Sequence, residues 1–197
     1  MEQYIELLGT AVGIVYLWQE YHASIHLWIT SIIMPAIYLY VYYNAGLYAD
    51  FGINIYYLAI ALYGWLAWRY NFSLRGRKGN SKELTISHIE KKRLPVLVVL
   101  FLLLWAGIAH ILIYFTDSTV PLSDAFTTSL SIVGMYMLAR KYVEQWYVWL
   151  VVDIVSSALY VYKELYFTAA LYAVYAIIAI FGYYNWKKMM LQKVPAK

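Results

Sequence analysis

Seven stretches of the chain are almost wholly apolar, and short polar breaks separate them. They lie near residues 5–19, 26–43, 51–70, 95–115, 122–139, 146–162 and 166–186, and each predicts a helix. Several fall short of the ~20 residues that usually span a bilayer, a deficit that tilted, short bundles tolerate at modest cost. Pro35 sits inside the second stretch. Neighbouring membrane helices can satisfy the backbone groups that a proline frees, so a kink is expected there and not an end. Glu2 and Glu6 precede or open the first stretch, where a signal peptide would carry a basic start and a small-residue cleavage site; it reads as a retained first helix.

Composition points the same way. Of the 197 residues, 63% are hydrophobic and 13% charged, too few polar groups to cover a soluble domain of this size. The 23 Tyr and 8 Trp exceed the needs of two interfacial belts, which suggests that aromatic side chains also line an interior. With no cysteine, disulfides and thiolate metal sites are excluded.

Basic residues set the expected topology. Arg69, Arg75, Arg77, Lys78, Lys82, Lys91, Lys92 and Arg93 surround the connection between the third and fourth helices. Arg140 and Lys141 follow the fifth helix, and Lys187, Lys188, Lys193 and Lys197 follow the seventh. With seven crossings, fourteen of the fifteen Lys and Arg fall on one side and Lys163 alone on the other. The positive-inside rule then places the N-terminus outside and the C-terminus in the cytoplasm. Topology accounts for the net charge of +4, and nothing beyond charge supports a nucleic-acid partner.

An internal repeat lies under the apolar pattern. "VGIVYLWQEYHASIHLW" (Val12 to Trp28) aligns without gaps to "VGMYMLARKYVEQWYVW" (Val133 to Trp149). "LYVYYNAGLY" from Leu39 matches "LYVYKELY" from Leu159, two residues shorter. "GLYADFGINIYYLAIALYGWLAW" then matches "ELYFTAALYAVYAIIAIFGYYNW", pairing Tyr57 with Tyr175, Gly64 with Gly182 and Trp68 with Trp186. Shared Leu and Val would mean little among greasy helices; ordered Trp, Gly and Tyr matches over three helices argue duplication. The organisation expected is a first three-helix repeat (1–70), a basic cytoplasmic loop (71–94), a linker helix (95–115), a second three-helix repeat (116–186) and a tail (187–197). One linking helix leaves both repeats in the same orientation, an arrangement that puts a substrate site between the halves near mid-membrane.

One acid interrupts the sixth stretch. Trp146, Trp149 and Asp153 are spaced i, i+3, i+7 and share a helical face, which Ser156, Ser157 and Tyr160 continue. Asn54, Tyr57, Ala61, Gly64 and Trp68 make a similar stripe on the third helix, as do Tyr172, Tyr175, Gly182 and Trp186 on the seventh. A carboxylate at bilayer depth costs roughly 2.5–3.5 kcal/mol, so Asp153 is expected to face the bundle interior, as a hydrogen-bonding residue between helices or as part of a site. Tryptophan faces attract organic cations, and a carboxylate beside them adds a full opposite charge. Together they describe a box for a flat, positively charged ring, with Trp146, Trp149, Asp153, Asn54, Tyr57, Tyr172 and Tyr175 as the candidate substrate-binding residues. His110 is read as a packing residue; His22, His26 and His88 have no metal-like spacing. No nucleotide, nucleophile or zinc motif appears, and the last helix has no internal Lys for a retinal Schiff base. Neither an enzyme nor a cofactor is expected.

"RKYVEQWYVWLVVDIVS", the "YGWLAW" that ends the third helix and the tail "GYYNW" resemble the PnuC family of bacterial vitamin transporters. The resemblance covers nearly the whole chain and is most specific in the W-x-x-W stretch after R-K-Y-V-E. It implies an all-α integral membrane fold of seven transmembrane helices in a 3+1+3 parallel-repeat, SWEET-like arrangement in the bacterial cytoplasmic membrane. It also implies facilitated diffusion of an unphosphorylated vitamin, usually nicotinamide riboside, that a cytoplasmic kinase traps without stable contact. A homotrimer is implied too. Three polar positions depart from the nicotinamide riboside pattern: Asn54 stands where Gln is typical, Ala61 where Asn is typical, and Asp153 where Asn follows the second Trp. Relatives assigned to thiamine and riboflavin exist. Thiamine and nicotinamide riboside both carry a cationic ring; the reading leans to thiamine, with nicotinamide riboside, or proton coupling through Asp153, as alternatives.

Overall fold

The computed structural model describes residues 2–44, 48–71 and 84–192. Among these the chain forms α1 (Glu2–Tyr21), α2 (His26–Asn44), α3 (Tyr48–Tyr70), α4 (Leu94–Phe115), α5 (Pro121–Ala139), α6 (Gln145–Tyr162) and α7 (Tyr166–Gln192), with a one-turn 3-10 helix Lys91–Arg93 leading into α4. No strand occurs among the described residues beyond one bridge, Ser87 with Tyr142. The apolar blocks anticipated all seven helices. α2 runs through Pro35 as one helix. Pro95 and Pro121 lie in the first turns of α4 and α5, where a missing N–H forfeits no intrahelical bond. Of the topology-setting residues, Arg75, Arg77, Lys78, Lys82, Lys193 and Lys197 lie outside the described residues.

Lys91–Phe115 and Tyr166–Gln192 are long and apolar enough to cross a membrane by length and composition. The other five helices carry more Tyr, Trp and small polar residues, yet their outward faces are equally greasy. Ile14 and Val15 on α1, Ile29 and Ile33 on α2, Ile55 and Leu62 on α3, Leu122 on α5, and Val151 and Ile154 on α6 are all exposed. Exposed aliphatic side chains on helix after helix suit lipid and not water. His110, expected to pack, is exposed on α4 and lies against the Tyr114 ring at 4.6 Å.

The chain divides into two compact units, residues 1–85 and 86–197. In the first, α2 packs on α1 and α3; in the second, α4 packs on α5, α5 on α6 and α6 on α7. Each unit contains the same helix–turn–helix corner. Leaving α1, Ala23 N donates to Glu20 O (2.9 Å) and Ser24 N to Gln19 O (2.8 Å). Leaving α5, Lys141 N donates to Leu138 O (2.9 Å) and Tyr142 N to Met137 O (3.0 Å). Ala23 (φ 49°) and Lys141 (φ 53°) occupy the same left-handed position of this C-terminal cap. Beyond the corner, the Trp28 ring presses on Gly64 and meets Trp68 edge to face at 5.6 Å, while Trp146 presses on Gly182 and meets Trp186 edge to face at 5.7 Å.

These contacts correct the register of the first repeat segment. The ungapped alignment pairs Trp28 with Trp149, but hydrogen bonds and ring packing pair it with Trp146, at the same spacing that relates Ala23 to Lys141, Gly64 to Gly182 and Trp68 to Trp186. Coincident Val, Gly, Leu and Tyr identities carried the ungapped alignment; such residues satisfy any lipid-facing register equally well. In the corrected register Pro35 stands where α6 has Asp153, so the acid has no acidic counterpart in the first unit.

The glycines make this packing possible. A Cβ at Gly182 would lie 2.6 Å from the Trp146 ring, whereas one at Gly107 would meet nothing within 4 Å. Gly182→Ala is therefore expected to destabilise the protein by about 1–3 kcal/mol, the usual range for overpacking. Gly107→Ala should leave stability unchanged or raise it by up to ~1 kcal/mol through helix propensity. Thermal unfolding of both variants in one detergent checks this, and equal midpoints would contradict the close fit.

Candidate functional site

In this conformation the beginning of α6 is tied to the segment before α4. Ser87 N donates to Lys141 O (3.1 Å) and Val143 N to Ser87 O (3.0 Å), stitching the segment before α4 to the α5–α6 corner. Glu144 accepts from Ile89 N at 3.0 Å, and its other oxygen lies 2.6 Å from His88 Nδ1. At the far end of the helix, Lys163 Nζ sits 3.2 Å from Asp124, which also accepts from Ser118 Oγ at 2.9 Å. Polar contacts at both ends thus fix where the intervening residues of α6 point.

Trp146 and Trp149 diverge between those anchors. Trp146 turns toward α7, filling the groove over Gly182 with its ring edge-on to Trp186. Trp149 turns toward α5, where a Cβ on Gly134 would stand 3.4 Å from its ring. Trp146 is almost fully buried and works as a packing wedge, as Trp28 does in the first unit; Trp149 remains partly exposed.

Asp153 lies one turn beyond Trp149 and is 7% exposed. Among the described residues no hydrogen bond or ion pair reaches its carboxylate, whereas Glu90, Asp124 and Glu144 are each ion-paired. Tyr172 and Tyr175 of α7 are within electrostatic reach of it. Their rings sit 5.7 Å apart, and Tyr172 stacks on Tyr160 at 5.2 Å with the two hydroxyls in hydrogen-bonding contact. Ser156 is buried nearby, and Ser157 Oγ donates to Ala169 O at 2.9 Å, tying α6 to α7. Chemically, this is a buried acid near two tyrosines with no ion-pair partner among the described residues, a costly arrangement.

The second unit accordingly places Asp153 within electrostatic reach of Tyr172 and Tyr175, sets Trp149 one turn away on α6 facing α5, and commits Trp146 to packing. Asn54 and Tyr57 belong to α3 of the first unit, where Asn54 is buried and Tyr57, half-buried, lies against Tyr56 at 5.6 Å. No cluster of three or more potential metal ligands occurs among the described residues.

The chain matches the family model described as nicotinamide mononucleotide transporter over residues 3–188. It belongs to this family, the PnuC transporters. It is 24% identical over 207 residues to the nicotinamide riboside transporter PnuC of Escherichia coli strain K12, covering 93% of this chain and 84% of that protein. A riboflavin/roseoflavin transporter, RibM of Streptomyces davaonensis, is 24% identical over 183 residues, covering 92% and 83%. Among solved structures, the crystal structure of the vitamin B3 transporter PnuC matches with a TM-score of 0.64 at 23% identity, over 92% of this chain and 79% of that one, a likeness of fold. PnuC proteins are transporters and not enzymes.

In this PnuC chain the buried polar residues Glu20, Asn71, Ser129 and Gln145 escaped the sequence reading, and Gln145 stands out among them. Gln145 is 0% exposed, and neither its Nε2 nor its Oε1 has a hydrogen-bond partner among the described residues. It stands in the quoted R-K-Y-V-E-Q-W motif, but a glutamine beside a charged turn reads as solvated. Only burial marks it out. His88 was likewise passed over, since its partner Glu144 is distant in sequence.

Proposed function

We propose that the protein carries a cationic heteroaromatic vitamin across the bacterial cytoplasmic membrane, and that Trp149, Asp153, Tyr172 and Tyr175 hold the cation. The observation that carries this reading is the buried carboxylate of Asp153, without a partner among the described residues and near the tyrosines of α7. An acid in that setting is costly unless a cation compensates it. Asn54 and Tyr57 are assigned to the same substrate as residues of the first repeat. Thiamine is the preferred substrate, because the three departures at Asn54, Ala61 and Asp153 point away from the nicotinamide riboside pattern. Nicotinamide riboside is the second reading, favoured by the names of the similar transporters. Calorimetric titration of purified protein with thiamine, nicotinamide riboside and neutral riboflavin tests this. Tight binding of either cation with weak riboflavin binding is expected; preference for riboflavin would refute the cation box.

Transport is proposed to be passive, with trapping by a kinase that makes no stable contact, and the protein is proposed to assemble as a homotrimer of 3+1+3 parallel-repeat subunits. Proton coupling through Asp153 is the rival mechanism. Uptake into proteoliposomes should persist with an uncoupler present; collapse of uptake would favour the rival.

The N-terminus is proposed to lie outside. An impermeant thiol reagent applied to intact cells should label a cysteine placed at Asp117 and spare one placed at Gly79. The reverse pattern would invert the topology drawn from the basic residues.

A further inference from the structure

The corner that the fold builds twice exchanges polar and apolar residues at two sealed positions: Glu20 of the first unit stands where the second has Leu138, and Leu27 where the second has Gln145. Leu27 in the first unit and Gln145 in the second are both 0% exposed. Each precedes a tryptophan wedged over a glycine, and each makes the same backbone bond, Leu27 N to Ser24 O at 3.2 Å and Gln145 N to Tyr142 O at 3.1 Å. Leucine therefore satisfies this corner. Gln145 fills it with an amide whose donor and acceptor are both buried and both unpaired among the described residues, which destabilises the conformation seen. Packing gives no reason for a glutamine here.

The rest of α6 supplies one. Gln145, Trp149 and Asp153 are successive i, i+4 positions on a single face. Trp149 Nε1, like that of the packing residues Trp28 and Trp146, is buried without a partner among the described residues, and the Asp153 carboxylate lacks one there too. A polar row therefore runs from the proposed cation site to the N-terminal end of the helix, a distance of about 12 Å at the α-helical rise. Its upper end is sealed.

Building on the proposed cation site, we propose that Gln145 is a gating residue on the substrate's path. Its amide is shut off in this conformation and hydrogen-bonds the neutral polar groups of the passing vitamin when the α5–α6 corner opens. A group unpaired in the closed state and paired in the open one biases the equilibrium toward opening. It governs the rate of passage and not the affinity of the cation site.

The test measures three quantities for Gln145→Leu, the residue type that the first unit already accepts. The unfolding midpoint in detergent should rise, since an unpaired buried amide is removed. Affinity for the cation, thiamine or nicotinamide riboside, should stay within about threefold, while uptake into proteoliposomes should fall about tenfold or more. Gln145→Asn, which keeps an amide, should restore most of the rate. Wild-type uptake by Gln145→Leu overturns the gate, and so does equal loss in the leucine and asparagine variants. If the leucine variant does not fold, Gln145→Met, apolar and of similar length, is judged by the same criteria. Failure of the cation site is read separately, as wild-type affinity in Trp149→Ala; a wild type that carries neither vitamin overturns both proposals.

Discussion

Asp153→Asn is expected to bind thiamine at least about tenfold more weakly than the wild type, the loss of one charge-assisted contact. Asparagine keeps the shape and hydrogen-bonding capacity of the acid and removes only its charge. The acid has no partner among the described residues that would otherwise absorb the change. The same substitution restores the residue type that the resemblance associates with nicotinamide riboside carriers, so binding of nicotinamide riboside should be retained or improved. An Asp153 that is protonated and merely packs predicts little change for either ligand, because asparagine is nearly isosteric with the neutral acid. Calorimetry of wild type and variant with both vitamins distinguishes these outcomes. Wild-type affinity of the variant for thiamine would leave the carboxylate in need of another explanation.

Trp149→Ala and Trp146→Ala should fail in different ways, although the two residues stand one turn apart in the same motif. Trp149 lies one turn from the acid on α6 and is partly exposed. Removing a desolvated cation–π face costs ~2 kcal/mol or more, which is upwards of tenfold in affinity. Trp146 is buried over Gly182 and against Trp186. Its removal leaves a cavity, and large-to-small changes of this kind cost about 3–5 kcal/mol of stability. The alanine variant of Trp149 is thus expected to melt near the wild-type temperature and lose substrate, while that of Trp146 melts early. Measuring affinity and unfolding midpoint on each preparation checks the division of labour. A large affinity loss for Trp146→Ala at unchanged stability would show that its ring, too, faces the substrate.

The seven helices were legible in the chain because each is an apolar block ended by charge, proline or a short polar break, and such a block in lipid can satisfy its backbone only as a helix. The acid in α6 was legible for a related reason: one carboxylate among aliphatic and aromatic residues has no local partner and must point inward. Helical spacing placed Trp149 on its face without any structure. The register of the repeat was another matter. Leu, Val and Tyr identities fit several registers of a lipid-facing helix, whereas the cap hydrogen bonds of Ala23 and Lys141 and the fit of a tryptophan ring over Gly64 or Gly182 admit one. Spacing could not separate Trp146 from Trp149 either, since the difference lies in which neighbouring helix each ring meets. Burial of Gln145 and the pairing of Glu144 with His88 depend on how α5, α6 and the segment before α4 close on one another. Local pattern therefore determined which segments are helical and where charge is anomalous. The tertiary structure decided which polar groups are sealed and which aromatic rings are packed away or left partly exposed, because those depend on contacts between residues far apart in the chain.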